Sequence, residues 1–194
     1  MSARTDLITK HTADMSAVLK HILEAVSKQR EDESVRSMTD ANRVIIEAER
    51  VLKQHVASLE TLAQTYGAEG EAGFKKTVMA ALGVVAGLYD KVRESSVTRM
   101  LRDDYAALSL TAMGYTTFHA FGLGIGEQKI ADLAGQNLKD ITPLLVEISR
   151  IIPATTIQEL AKENPDIQVN MSAISEAVQN TQRAWERDVT ESLN

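Results

Sequence analysis

The chain has 194 residues, 44% hydrophobic and 25% charged, an ordinary soluble composition large enough for one domain that buries a core without staples. It contains no cysteine, which excludes disulfides, thiolate metal sites and cysteine nucleophiles. Its formal charge is −6, and no face gathers the 21 Lys and Arg, so nucleic-acid binding is not expected.

Strand signals are almost absent, and all three prolines fall at or beyond Pro143. The pattern is helical nearly throughout, so the expected fold class is all-α. No apolar run stands between Met1 and Lys10, so no signal peptide is expected. A first helix is expected from Thr12 to Arg30, with Met15, Val18, Leu19, Ile22, Leu23 and Val26 on one face. The charged stretch Arg30 to Glu33 marks its solvated end or a short connection. A second helix starts at Ser37 or Thr39, either of which can cap it, and runs to Tyr66. Gly67 ends it, and Gly70 and Gly73 keep the following loop open.

Phe74 to Arg93 reads as a third helix, rich in Ala and Gly, which would let another backbone come close. Ser95 or Ser96 caps a fourth, running to Phe121 and broken by Gly122, Gly124 and Gly126. The uncharged stretch from Tyr105 to Gly126 contains His119, hydroxyls and glycines, and reads as a buried helix and its exit, not a membrane span. A fifth helix spans Glu127 to Ile152, kinked or bulged at Pro143 and stopped by Pro153. Thr155 or Thr156 then caps a short helix ending near Glu163, and Asn164-Pro165-Asp166 forms a turn. A last amphipathic helix occupies Asn170 to Leu193, with Ile174, Val178, Thr181, Trp185, Val189 and Leu193 in line. It either packs on its own bundle or reaches a partner chain through Trp185, Val178 and Val189, and the pattern leaves both open. Residues 1–153 thus form a helical bundle with a helical crossover, and 154–194 a C-terminal helical extension.

Two histidines stand on apolar stripes. His55 follows Val44, Ala48, Val51 and precedes Leu59 and Leu62. His119 closes the series Val97, Leu101, Tyr105, Leu108, Ala112, Tyr115. A di-metal bundle needs a Glu from each of two helices and a Glu-x-x-His from each of the other two. Three positions before His55 stands Leu52, and three before His119 stands Thr116; neither is acidic. Glu24 and Asp140 lie beside the apolar lines rather than on them, so no carboxylate is expected to meet either histidine. A buried cation between two neutral imidazoles would lack counter-charge. The expected role of His55 and His119 is as core residues hydrogen-bonded to a hydroxyl or carbonyl, with Tyr66, Tyr105, Tyr115 and Thr116 as candidate partners. The competing reading is a single metal site completed by Asp103, Asp104 or Glu47.

Other signals are weak. Gly122-Leu123-Gly124-Ile125-Gly126 follows a helix rather than a strand, so it is an interhelical turn and not a dinucleotide loop. Asp103 and Asp104 could work as an acid–base pair. Adjacent helical residues diverge by about 100°, however, and Arg99 and Arg102 within a turn favour a solvated face. No nucleophile elbow and no phosphate loop is present.

Asp103-Asp104-Tyr105, Thr111 to Thr116, Ile125-Gly126, Ile130-Ala131-Asp132-Leu133 and Asn137-Leu138-Lys139-Asp140 succeed one another on the fourth and fifth helices, and His55 to Glu60 stands on the second. In that order they resemble the bacterial YciE/YciF-type ferritin-like stress proteins, over roughly residues 15 to 150. The resemblance implies a ferritin-like four-helix bundle and a stress-related role. Most of the family's di-iron ligands are not matched. Arg50 and Val51 stand where its second helix carries Glu, and Asp140-Ile141 replaces its paired Glu. Alignment on Tyr105 puts Asp103 at an acidic ligand position; alignment on Gly114 leaves no acid there.

The expected function is therefore a non-catalytic ferritin-like bundle that has lost its di-iron site. It would act as a stress-related binding or structural protein, cytoplasmic and homo-dimeric, with no cofactor, nucleic acid or membrane. The alternatives are a metal-binding protein or oxidoreductase with an atypical site built from His55, His119 and Asp103, or an adaptor using its C-terminal helix.

Overall fold

A computed structural model describes residues 3–66 and 96–191, with side chains through Ala184. The helix expected at Phe74–Arg93 and the loop before it lie outside the described residues. Among those described, six helices and no strand are present: α1 (Ala3–Glu31), α2 (Glu33–Ser37), α3 (Thr39–Thr65), α4 (Val97–Gly124), α5 (Gln128–Glu163) and α6 (Ala173–Glu191).

The apolar stripes read from the sequence point inward. Val44, Ala48, Val51, His55, Leu59 and Leu62 on α3 are buried, as are Leu101, Leu108, Ala112 and Tyr115 on α4. The helix ends differ in instructive ways. α1 begins well before Thr12, because Ile8, Thr12, Ala13, Ser16 and Ala17 form a buried face of small and hydroxylated residues. Thr12 satisfies its own hydroxyl by donating to Ile8 O at 2.8 Å. The charged stretch after α1 is broken by Asp32, whose carboxylate caps α2 by accepting from Ser34 N at 2.8 Å. Neither Ser37 nor Thr39 caps α3. Met38 holds the cap position without a side-chain bond, and Ser37 instead donates to Ser34 O. Ser96 does cap α4, accepting from Arg99 N.

Pro153 does not end α5. The helix passes through both Pro143 and Pro153 to Glu163, and Thr155 and Thr156 lie inside it, each donating to the carbonyl four residues back. An interior proline costs about 3 kcal/mol in helix stability. Burial on both sides of it, by Ile148, Ile151, Thr155 and Glu159, outweighs that cost. Asn164-Pro165-Asp166 forms the expected turn, and α6 returns against α5.

The four long helices meet in cyclic order, α1 against α3 and α4, and α5 against α3 and α4. Each neighbouring pair is antiparallel. Lys20–Glu60 and Arg30–Glu49 set α1 against α3; Tyr66–Glu127 and Arg43–Glu147 set α3 against α5. Thr98–Glu159 and His119–Ala131 set α4 against α5, and Gln29–Asp104 and Arg4–Ile125 set α1 against α4. The chain leaves α3 beside Glu127 and re-enters at α4 beside Glu159, positions about 48 Å apart along α5.

Candidate functional site

Midway along the bundle the apolar core gives way to a polar layer. α3 contributes His55 and Ser58, α4 contributes Tyr115, and α5 contributes Asn137 and Asp140. His55 is 1% exposed and Tyr115 fully enclosed, their rings meeting edge-on at 5.3 Å between centroids. Asn137, also buried, donates to Ser58 Oγ at 3.3 Å, and Ser58 in turn donates to the carbonyl of His55. Asp140 sits half-exposed at the rim, one oxygen held by Gln136 and the other 3.6 Å from His55 Nε2. That separation is too long for a hydrogen bond.

Three polar atoms in this layer, both ring nitrogens of His55 and the Tyr115 hydroxyl, are buried without a hydrogen-bond partner among the described residues. Burial pushes the His55 pKa below its ordinary value, with Asp140 working the other way, so the ring is neutral. Burial likewise raises the Tyr115 hydroxyl; Asn137 lies close enough to oppose the shift, though not in hydrogen-bonding geometry. The layer thus presents a neutral imidazole, a protonated phenol, an amide and a hydroxyl, with one carboxylate at the rim.

The sequence places no carboxylate beside His55, and here the structure differs: Asp140, next to the apolar line rather than on it, reaches the imidazole from α5. The position of His119 is separate. Its Nδ1–H donates to Ala131 O at 2.7 Å, one helical neighbour across the α4–α5 seam. Ala131 and Asp140 are nine residues apart on α5, about 13 Å, so the two histidines work at different levels. Asp103 is exposed and paired with Arg102, about 18 Å along α4 from Tyr115. His55, His119 and Asp103 therefore do not converge. Of the tyrosine partners expected for the histidines, Tyr115 touches His55. Tyr66 instead donates to Glu127 Oε2 at 2.6 Å, and burial together with that bond pushes its pKa up to about 12. Val178 is half-buried on α6; the side chains of Trp185 and Val189 lie outside the described residues.

Three carboxylates do enter the interior, each at its own level. Glu49 accepts from Ser27 and Arg30 on α1 and pairs with Lys53. The hydrogen bond from Lys53 is the largest influence holding its pKa down. Glu159 crosses from α5 to the start of α4, accepting from Ser96 Oγ at 2.7 Å, from Thr98 N at 3.0 Å and from Val97 N. Asp104, only 2% exposed, accepts from Gln29 Nε2 at 3.0 Å, while Gln29 Oε1 is buried without a partner among the described residues. Burial raises the Asp104 pKa to about 7. The adjacent acids therefore part company: Asp103 is solvated, as expected of both, and Asp104 is not.

A di-iron centre of the kind the resemblance brings to mind needs carboxylates from four helices at one level. The residues here do not fit it: the polar layer carries one imidazole and one carboxylate, and no three His, Asp or Glu side chains converge among the described residues. Asn137, Ser58, Glu49 and Glu159 escaped sequence reasoning. A signal existed for two of them: Asn137 falls between Ala134 and Ile141 at heptad spacing, and Glu159 continues Ile148, Ile151, Thr155 past the proline.

Among the described residues no helix is long and apolar enough to cross a membrane. Comparison of the chain with family models, with the curated proteins and with the solved structures finds no match.

Proposed function

We propose that the chain is a ferritin-like four-helix bundle, of the bacterial stress-protein kind that its fourth and fifth helices resemble. In this reading it works as a self-associating binding or structural protein without di-iron chemistry. Its cyclic order of antiparallel helices, with one long crossover between α3 and α4, is the connectivity such bundles use. The observation that carries the reading is the polar layer. Where a di-iron bundle concentrates charge, this chain sets a neutral imidazole, a phenol and an amide, with three polar atoms buried without a partner among the described residues. Metal analysis of protein purified without chelators tests it. Less than a tenth of an equivalent of iron or manganese is expected; two equivalents, lost in His55→Ala, overturn it.

One observation favours a second reading. An imidazole nitrogen and a carboxylate oxygen 3.6 Å apart can share a single cation bonded to each at about 2 Å. One equivalent of zinc, abolished by either His55→Ala or Asp140→Asn, would establish that reading in place of the first.

A further inference from the structure

Arg4 and Gln29 tie α1 to α4 at the two ends of their shared seam. Arg4 donates to Ile125 O where α4 finishes, and Gln29 Nε2 donates to Asp104 Oδ1 at 3.0 Å, about two turns after α4 starts. The second tie differs from the first in its surroundings. Asp104 is 2% exposed, and no Lys or Arg pairs with it among the described residues. The charged groups on the helices around it are engaged elsewhere or face solvent. On α4, Arg102 pairs with Asp103 and Arg99 is exposed. On α1, Lys28 pairs with Glu24, Arg30 pairs with Glu49 of α3, and Glu31 is exposed. On α5, Arg150 is exposed, Glu147 pairs with Arg43 of α3, and Glu159 is bonded to the start of α4. Asp103, next in the chain, is a like charge that opposes ionisation of Asp104.

A buried carboxylate without a cation is costly, whereas a buried carboxylic acid is not, provided its hydroxyl finds an acceptor. That acceptor is at hand. Gln29 Oε1 belongs to the same carboxamide as the bonded Nε2, is buried, and has no partner among the described residues. An acid and a carboxamide each carry one donor and one acceptor on a flat edge, so the two groups match in pairs. The Nε2–H bond to Oδ1 is already made, and a hydroxyl on Oδ2 is the donor that Oε1 lacks. We propose that Gln29 and Asp104 form a proton-operated latch between α1 and α4, closed by two hydrogen bonds while Asp104 carries its proton and loosened when that proton leaves to solvent. Ionisation removes the hydroxyl donor and sets a carbonyl against a carboxylate, two acceptors with nothing between them. Gln29 lies in the last turn of α1, three residues before Asp32 caps α2, so this end of α1 can draw back and admit water to Asp104 while the rest of the core stays packed. The Asp104 pKa of about 7 sets the working range near neutrality. Since that value is raised from 3.8, closure is strongest below pH 3.8 and weakens as pH rises towards 7.

Two measurements on the full chain test the latch. In infrared difference spectra at pH 6, wild type against Asp104→Asn is expected to show one protonated carboxyl group, and Gln29→Met is expected to displace its band. Amide hydrogen exchange at pH 6 and pH 8 then reads the opening. Asp104→Asn serves as the reference at each pH, because its amide keeps both bonds to Gln29 and cannot ionise. The ratio of wild-type to Asp104→Asn exchange in residues 20–31 and 97–108 is expected to rise about tenfold between the two pH values, one decade for the span above the folded pKa. In α6, which packs on α5 and whose undocking leaves Asp104 covered, the ratio is expected to stay constant. The exchange comparison stands even if Gln29→Met does not fold. Absence of a protonated carboxyl at pH 6, or a band that Gln29→Met leaves in place, overturns the latch. So does an exchange ratio that is equal at both pH values, or a rise that α6 shares, which would mean unfolding of the whole chain.

Discussion

Glu159, near the end of α5, accepts hydrogen bonds from the backbone of Val97 and the hydroxyl of Ser96, and so closes the start of α4 from a neighbouring helix. Helix starts leave amides unpaired, and a side chain from the helix itself normally satisfies one of them. Here Ser96 accepts from Arg99 N, and a carboxylate more than sixty residues away takes the Val97 and Thr98 amides. This contact also explains why α5 must run through Pro153: a helix stopped there would not carry Glu159 to its place.

Replacing Glu159 by Ala should therefore cost about 2–3 kcal/mol, the combined loss of a cap and of acceptors for buried donors. Burial alone would raise the Glu159 pKa, but the bonds from Thr98, Ser96 and Val97 outweigh it and hold the carboxyl below its ordinary 4.5. The stabilisation is then complete above pH 4.5 and lost as pH falls through the lowered value. Thermal melts of wild type and Glu159→Ala should converge at low pH; a constant difference down to pH 2 would contradict this.

Asp104 should show the opposite dependence. Its pKa is raised from 3.8 to about 7, chiefly by burial, so the folded chain holds a proton that the unfolded chain releases. Stability on its account falls as pH rises from 3.8 towards 7 and then levels. Asp104→Asn keeps an acceptor for Gln29 and cannot ionise. It should be more stable than wild type by about 2 kcal/mol at pH 8 and nearly equal at pH 4. Denaturant midpoints at the two pH values decide the matter, and a destabilised Asn variant at pH 8 would refute it.

Gly122 and Gly114 lie on the same helix and should respond differently to one added methyl. A Cβ on Gly122 would stand 2.6 Å from the backbone nitrogen of Ala131, so α4 and α5 would have to separate. Gly122→Ala should lose about 1–3 kcal/mol despite its better helix propensity. At Gly114 the near atom is the sulfur of Met15, at 2.7 Å, the far end of a flexible side chain. Gly114→Ala should be neutral or up to about 1 kcal/mol more stable. Reversed ranks in urea unfolding would mean that the α4–α5 seam is looser than its geometry.

His55 should titrate below 6.5 in ring-proton NMR, because burial disfavours its charged form. Asp140→Asn removes the nearest opposing charge and should lower the value further. Below pH 6.5 the unfolded chain takes up a proton that folded His55 refuses, so this residue subtracts stability as pH falls through that value. A His55 pKa above 6.5, or one raised by Asp140→Asn, would show that the imidazole is not enclosed as described.

Composition, absence of cysteine and the three-and-four spacing of apolar residues were enough, without coordinates, to establish a helical protein. They also told which side of α3, α4 and α5 turns inward. Val44 to Leu62 and Leu101 to Tyr115 were legible because burial of an apolar face depends only on direction around one helix axis. Polar residues were not legible in the same way. Asp104 occupies an inward position although its charged neighbours favoured a solvated face, Asn137 shares the inward spacing but not an apolar side chain, and Asp140 looked peripheral. Their roles depend on which residue of another helix stands at the same height: Gln29 for Asp104, Ser58 for Asn137, His55 for Asp140. Pro153 misled for the same reason, since a local rule about one missing hydrogen bond was outweighed by burial and by a cap on α4 that only the assembled bundle provides. Direction around an axis is written in a single helix, whereas height along it relative to a neighbour exists only once the helices have met.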